Sequence, residues 1–179
     1  EARTPRNASF ALRRERLWRC AGVPTDYILI YSDNQPLMPT HSAQATWNGN
    51  LQDGSGTFEG STGAISGAYS FESRFEGNDD TSPEELIGAA HAGCFSMALS
   101  NILAEAGHTP EDVTTDANVT LEMVDGDPTI TTIHLTTKGV VPGIDNDTFV
   151  QHAQAAKEGC PVSKALAGVT IKLDAELVG

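Results

Sequence analysis

Two cysteines, one arginine and one carboxylate could carry reactive chemistry in this 179-residue chain. Cys94 lies in His91-Ala92-Gly93-Cys94-Phe95-Ser96-Met97, and Cys160 precedes a proline in Gly159-Cys160-Pro161-Val162-Ser163. A thiol works as nucleophile or redox centre only as its thiolate, which is favoured beside a cation or at a helix start where unpaired N–H groups point outward. Cys160 has the second setting if Pro161 opens a helix. Cys94 sits on an apolar helical face, where a free cysteine is equally a small buried hydrophobe. Arg74 is the one arginine beyond Arg19, placed among Tyr69, Phe71 and Phe75. Glu84 is positioned to hold its guanidinium in the two-bond geometry that arginine favours. Arg74 and Glu84 are therefore an ordinary ion pair, or a device that lowers a thiol pKa and donates to a developing oxyanion. Cys20, beside Arg19 in an irregular stretch, reads as an incidental exposed thiol.

Other chemistries fit less well. His91 and Cys94, with Cys160 and Glu84, could be written as a metal site, but Glu84 and Cys94 are ten residues apart on a helix, about 1000° of turn and some 80° off a shared face. No Cys-x-x-Cys or His-x-x-x-His is present. No metal is expected, and His91 reads as a helix-packing or hydrogen-bonding residue. His41, His108, His134 and His152 show no grouping, and Gly54-Ser55-Gly56 lacks the lysine of a phosphate loop. A cysteine hydrolase would need a histidine base aimed across Cys94, which His91 on the same helix is poorly placed to be. A non-catalytic dimeric protein that binds small molecules or senses oxidants is the other alternative.

The elements that must position these residues follow from periodicity. Alternation over 43–48, glycine-rich punctuation at 54–56 and 61–63, and alternation over 68–75 predict three short antiparallel strands, with Arg74 on the third. A second β block is expected at 113–124 and 129–140, joined through Asp125-Gly126, and a last strand at 169–177. Between the blocks Ser82 caps a long helix, Pro83 fits its first position and Glu85 completes a capping box. This helix runs to about Ala106 and stops at Gly107. Its apolar residues Leu86, Ala89, Ala90, Gly93, Cys94, Met97, Ala98 and Ile102 form a face of small side chains that another helix could approach closely. A second helix is expected at 147–158, capped by Asp145 or Asn146, and Pro161 opens a third to about Ala167. The fold class is α+β.

A formal charge of −13 and a pI near 4.6 oppose binding to nucleic acid or an anionic membrane. The longest strongly apolar run, Tyr27 to Tyr31, falls far short of the roughly 20 residues of a membrane span. An odd number of cysteines, three, argues against an extracellular disulfide scaffold, and a cytoplasmic protein is expected. Six of the eleven basic residues fall within the first twenty positions, and the N-terminal stretch, with four prolines, has no sustained period. Residues 1–40 are read as a basic arm and 41–179 as the domain. Met38 is expected to be the natural start. The arm lacks the Ser-rich amphipathic pattern of a transit peptide.

Arg74-Phe75-Glu76-Gly77, the run from Ser82 to Ser100 with Glu84 and His91-Ala92-Gly93-Cys94-Phe95, Val141-Pro142-Gly143-Ile144-Asp145 and Gly159-Cys160-Pro161-Val162-Ser163 together closely resemble the OsmC subgroup of the OsmC/Ohr hydroperoxide reductases. The resemblance covers about residues 43–179, and residues 1–37 have no counterpart in it. It implies a thiol peroxidase acting on organic hydroperoxides in oxidative or osmotic stress defence. Cys94 would be the peroxidatic cysteine and Cys160 the resolving one, joined later in a disulfide; Arg74 would activate the thiolate and Glu84 would be its carboxylate partner. It further implies no cofactor or metal, a dithiol reductant such as a lipoylated protein, and an intertwined homodimer. In that dimer two central helices are wrapped by strongly curved antiparallel sheets, with the active sites at the subunit interface. Phe75, Phe95 and Met97 would give an apolar setting that favours bulky organic peroxides over hydrogen peroxide.

Overall fold

A computed structural model describes residues 38–77 and 79–179. The basic arm, with Cys20, lies outside the described residues apart from its last three positions.

Strands β1 (Ala43–Asn48), β2 (Ser55–Gly60) and β3 (Ser66–Ser70) form an antiparallel sheet in that order. Gly56 on the middle strand faces Trp47 on one side and Tyr69 on the other. A Cβ there would stand 2.4 Å from the Tyr69 ring, so glycine lets the two rings approach to 5.3 Å across the strand.

The strand expected to run through Arg74 stops at Ser70. Residues Phe71–Phe75 are instead a short helix, α1. Ser70 Oγ accepts from Ser73 N–H, and Ser73 Oγ accepts from Ser70 N–H, a complete capping box that outcompetes the strand ladder. Phe71 and Phe75, four apart, then stack at 4.7 Å on one helical face.

The long helix α2 spans Pro83–Glu105. Ser82 Oγ accepts from Glu85 N–H as expected, whereas the Glu85 carboxylate takes the Thr81 hydroxyl. The C-terminus closes as a Schellman motif: Gly107, at φ +90°, donates to Ala104 O, and His108 donates to Leu103 O. Its buried stripe is Glu84, Gly88, His91, Phe95, Leu99 and Leu103. This is not the small-residue face singled out above: Ala89, Ala90, Gly93 and Met97 are exposed, and the residue that admits a close neighbour is Gly88, whose Cβ would meet Ala117 O at 3.0 Å. That neighbour is a strand.

Strands β4 (Asp112–Val124) and β5 (Asp127–Val140) are an antiparallel hairpin. Asp125 and Gly126 form its two-residue turn, both left-handed at φ +54° and +94°. Strand β6 (Thr170–Leu177) adds to β5 in parallel, where an antiparallel sheet was expected. A parallel neighbour requires a crossover, here supplied by helices α3 (Asn146–Gly159) and α4 (Pro161–Ala165). Asp145 caps α3 through Thr148 N–H at 2.8 Å, while Asn146 accepts from Leu177 N–H and ties the helix to β6.

The core lies between this sheet and α2 and α3. Phe95, Leu99, Leu103, Ile133, Leu135, Val141, Phe149, Ala153 and Ala156 fill it, and Cys160 is inside it. Ile171, Leu173, Ala175 and Leu177 supply the inward face of β6.

Candidate active site

Cys94 comes from the middle of α2 and Cys160 from the break between α3 and α4. The break has a local cause: Cys160 N–H still donates to Ala156 O as the last bond of α3, but Pro161 disfavours helical backbone at the residue before it, and Cys160 sits at φ −57°, ψ 125°. The two sulfurs are 3.1 Å apart and share a hydrogen bond; both cysteines are free. Cys160 is buried and Cys94 half-buried.

Their electrostatics differ. Burial pushes the Cys94 thiol up, the Cys160 sulfur adds to this, and the Val162 N–H opposes it only in part. Burial also acts on Cys160, but the Ser163 N–H, the Cys94 thiol, the Ser163 hydroxyl and the Val162 N–H together outweigh it and hold Cys160 below the usual thiol value. Within one chain the two thiols are thus pushed in opposite directions, Cys94 up and Cys160 down. What lowers Cys160 is a set of individual polar groups rather than a long helix dipole, since α4 has only five residues.

Arg74 and Glu84 do pair. Arg74 Nε and Nη2 donate to the same oxygen, Glu84 Oε1, at 3.0 and 2.8 Å. The two-oxygen fork expected from sequence is not made, and Glu84 Oε2 is buried with no hydrogen-bond partner among the described residues. The guanidinium lies 5.4 Å over the Phe75 ring. Beside it, Trp47, Leu51, Tyr69, Phe71, Phe75 and Pro83 line a cavity of about 410 Å³.

Within one chain the two pairs thus lie apart. Ten residues of helix put Glu84 and Cys94 about 15 Å apart along the axis. Of the apolar residues expected around the thiol, Phe75 instead walls the arginine cavity, Phe95 is fully buried in the core and Met97 is 75% exposed.

His91, completely buried one turn before Cys94, is a hydrogen-bonding residue: its Nε2 lies 2.8 Å from Ser163 Oγ, while Nδ1 has no partner. Sequence reading gave Ser163 no role, although it is the third residue after Cys160, in the first turn of α4. Among the described residues, no group of three or more His, Cys, Asp or Glu side chains is arranged to hold a metal.

The family described as OsmC-like protein matches residues 76–174, a span that includes Glu84 and both cysteines. The chain belongs to the OsmC-like family. It is 50% identical over 135 residues to the Peroxiredoxin OsmC of Escherichia coli (strain K12), covering 75% of this chain and 94% of that protein. It is 28% identical over 109 residues to the Organic hydroperoxide resistance protein-like 2 of Staphylococcus epidermidis, covering 55% of this chain and 70% of the relative. Among solved structures, the organic hydroperoxide resistance protein of Elizabethkingia anophelis has a TM-score of 0.66 at 22% identity, over 80% of this chain and all of that one. OhrB of Bacillus subtilis has a TM-score of 0.59 at 26% identity, over 76% and 98% of the two chains. The α+β architecture of this OsmC-like chain is thus that of the OsmC/Ohr proteins.

Proposed function

We propose that this OsmC-like chain is a cysteine-based peroxidase that reduces organic hydroperoxides to alcohols in stress defence. The observation that carries the reading is the 3.1 Å approach of two free thiols that lie 66 residues apart in sequence, one of them in the core. Family membership and the peroxiredoxin and hydroperoxide-resistance names of the relatives support the peroxidase class. The cavity of aromatic and aliphatic side chains beside Arg74 suits the organic part of the peroxide.

In this mechanism the Cys94 thiolate attacks the distal peroxide oxygen. The O–O bond breaks, the alkoxide leaves and takes a proton to become the alcohol, and Cys94 becomes a sulfenic acid. Cys160 thiolate then attacks that sulfur, an S–S bond forms, and hydroxide leaves as water once protonated. A dithiol, such as a lipoylated protein, would return both thiols. The reading suits a reducing cytoplasm, where such a disulfide is transient.

Arg74 can serve Cys94 only from a second copy of the chain, because its Glu84 anchor stands about 15 Å up the same helix. A two-fold axis crossing α2 halfway between Glu84 and Cys94 would set the arginine pair of one copy against the thiols of the other, twice. The exposed Ala89, Ala90, Gly93 and Met97 supply the face for that crossing, and a Cβ on Gly93 would meet nothing within 4 Å among the described residues beyond its own stretch of helix. The helix has one core-facing side and a second apolar side left over, which its own chain does not bury. The partnered arginine would then favour the thiolate of Cys94.

The test is stopped-flow mixing of the reduced protein with cumene hydroperoxide and with hydrogen peroxide, beside Cys94→Ser and Cys160→Ser, with masses read afterwards. Fast reaction with the organic peroxide, lost in Cys94→Ser and ending as a trapped sulfenic acid in Cys160→Ser, is expected. A reaction indifferent to Cys94 would overturn the reading and favour the non-catalytic sensor.

A further inference from the structure

We propose that a disulfide between Cys94 and Cys160 is opened from one side only: the reducing thiol attacks the Cys94 sulfur, and Cys160, shut off from external thiols, is the leaving group.

The burial of the two residues decides the direction. Cys160 is 0% exposed and belongs to the core with Phe149, Ala153 and Ala156. Its backbone is held from both sides, the N–H donating to Ala156 O and the C=O accepting from the Lys164 N–H, so bringing its sulfur to the surface would mean opening the junction of α3 and α4. Cys94 is half-buried, and Gly93 and Met97 beside it on α2 are exposed. Exchange is a displacement in which attacking, attacked and leaving sulfurs stand nearly in a row. Attack on Cys160 would have to come through the core, on its far side from Cys94. Attack on Cys94 comes from the side away from Cys160, the same side by which the sulfenic oxygen departs when Cys160 closes the disulfide. Cys160, held below the usual thiol value, suits the part, since a thiol of lower pKa leaves faster.

The step rests on the peroxidase reading, which supplies the disulfide. One thiolate of a dithiol reductant forms an S–S bond to Cys94, the Cys94–Cys160 bond breaks, and its electron pair stays on Cys160, which takes up the proton that the reductant gave. The second thiolate of the reductant attacks its own first sulfur, closes a cyclic disulfide and releases Cys94. The protein gains two electrons and two protons, and the dithiol loses them.

The test uses the full chain with Cys20→Ser, which leaves Cys94 and Cys160, and closes the pair with diamide rather than with peroxide. The oxidised protein is mixed with 2-mercaptoethanol, quenched with N-ethylmaleimide at short intervals and digested for mass mapping. Early quenching matters because Cys160, 3.1 Å from Cys94 when both are free, can strike back at the mixed disulfide. At the earliest times the mercaptoethanol adduct should sit on Cys94 and the maleimide on Cys160, by about tenfold or more over the reverse arrangement. In reduced chains that also carry Cys160→Ser or Cys94→Ser, iodoacetamide should modify Cys94 without denaturant and Cys160 only in urea. An adduct on Cys160, or on both alike, overturns the proposal and leaves the peroxidase reading standing, as does native alkylation of Cys160 at the rate of Cys94. An adduct on Cys94 in a chain that does not react with cumene hydroperoxide keeps the proposed direction and overturns the peroxidase reading. A pair that diamide cannot close overturns both.

Discussion

Glu84 and Cys94 share one helix, yet about 15 Å of axial rise and some 80° of rotation keep the arginine that Glu84 holds away from the sulfur of its own chain. The pairs Arg74–Glu84 and Cys94–Cys160 are each complete at hydrogen-bond distance and separate from one another.

Complementation between copies follows from this. Arg74→Ala should lose about 100-fold to 1000-fold in peroxide reduction, the scale of one oxyanion donor. Cys94→Ser should lose the reaction outright. Unfolding the two variants together and refolding them should return about a quarter of wild-type activity, because about half the dimers are mixed and each carries one intact site of two. A refolded mixture as inactive as its parents would place Arg74 in service of its own chain.

The cavity beside Arg74 should set substrate preference. Leu51 lines it, is 60% exposed, and belongs to neither pair. Leu51→Ala should lower kcat/KM for cumene hydroperoxide by about tenfold and leave hydrogen peroxide nearly untouched, since only the organic substrate loses apolar contact. Equal losses for both peroxides would remove the cavity from substrate binding.

Association should depend on the outer face of α2. Met97→Glu places a charge among Ala90, Gly93 and Met97's other neighbours on that face, and sedimentation should show monomer where the wild type shows dimer. An unchanged dimer would put the interface elsewhere.

Acid should weaken the fold first through His91. Burial lowers its pKa below the ordinary 6.5, so as pH falls through 6.5 the unfolded chain takes up a proton that the folded chain refuses. Stability is then full above pH 6.5 and declines below it. Urea unfolding on either side of that pH should show this slope, flattened in His91→Gln. Asp145, held below its ordinary 3.8 chiefly by the Thr148 N–H, adds a separate loss only at lower pH.

Much of this was legible in the sequence because it is local. Ser82-Pro83 starts α2, Gly107 stops it, and Asp125-Gly126 turns the hairpin, each by its own backbone chemistry. The error at Arg74 was a contest between two local signals: Tyr69, Phe71, Ser73 and Phe75 alternate like a strand, but Ser70 and Ser73 at capping-box spacing win the backbone. What was not legible is tertiary. Alternation finds the strand at β6 but says nothing of the direction of its neighbour. A stripe of small residues shows that something packs closely on α2, not whether it is β4 at Gly88 or another molecule at Gly93. Ser163 had no visible partner until α4 was laid against α2.

The parallel pairing of β6 also governs timing. Cys160 rides on the crossover between β5 and β6, so its seat beside Cys94 is made by a contact that closes 66 residues of chain, among the slower kinds to form. A chain still emerging from the ribosome holds Cys94 well before it holds Cys160, 66 residues further on. The nascent thiol is therefore without its intended mate, and oxidants met at that stage would leave an unresolved sulfenic acid, open to overoxidation or to capture by foreign thiols.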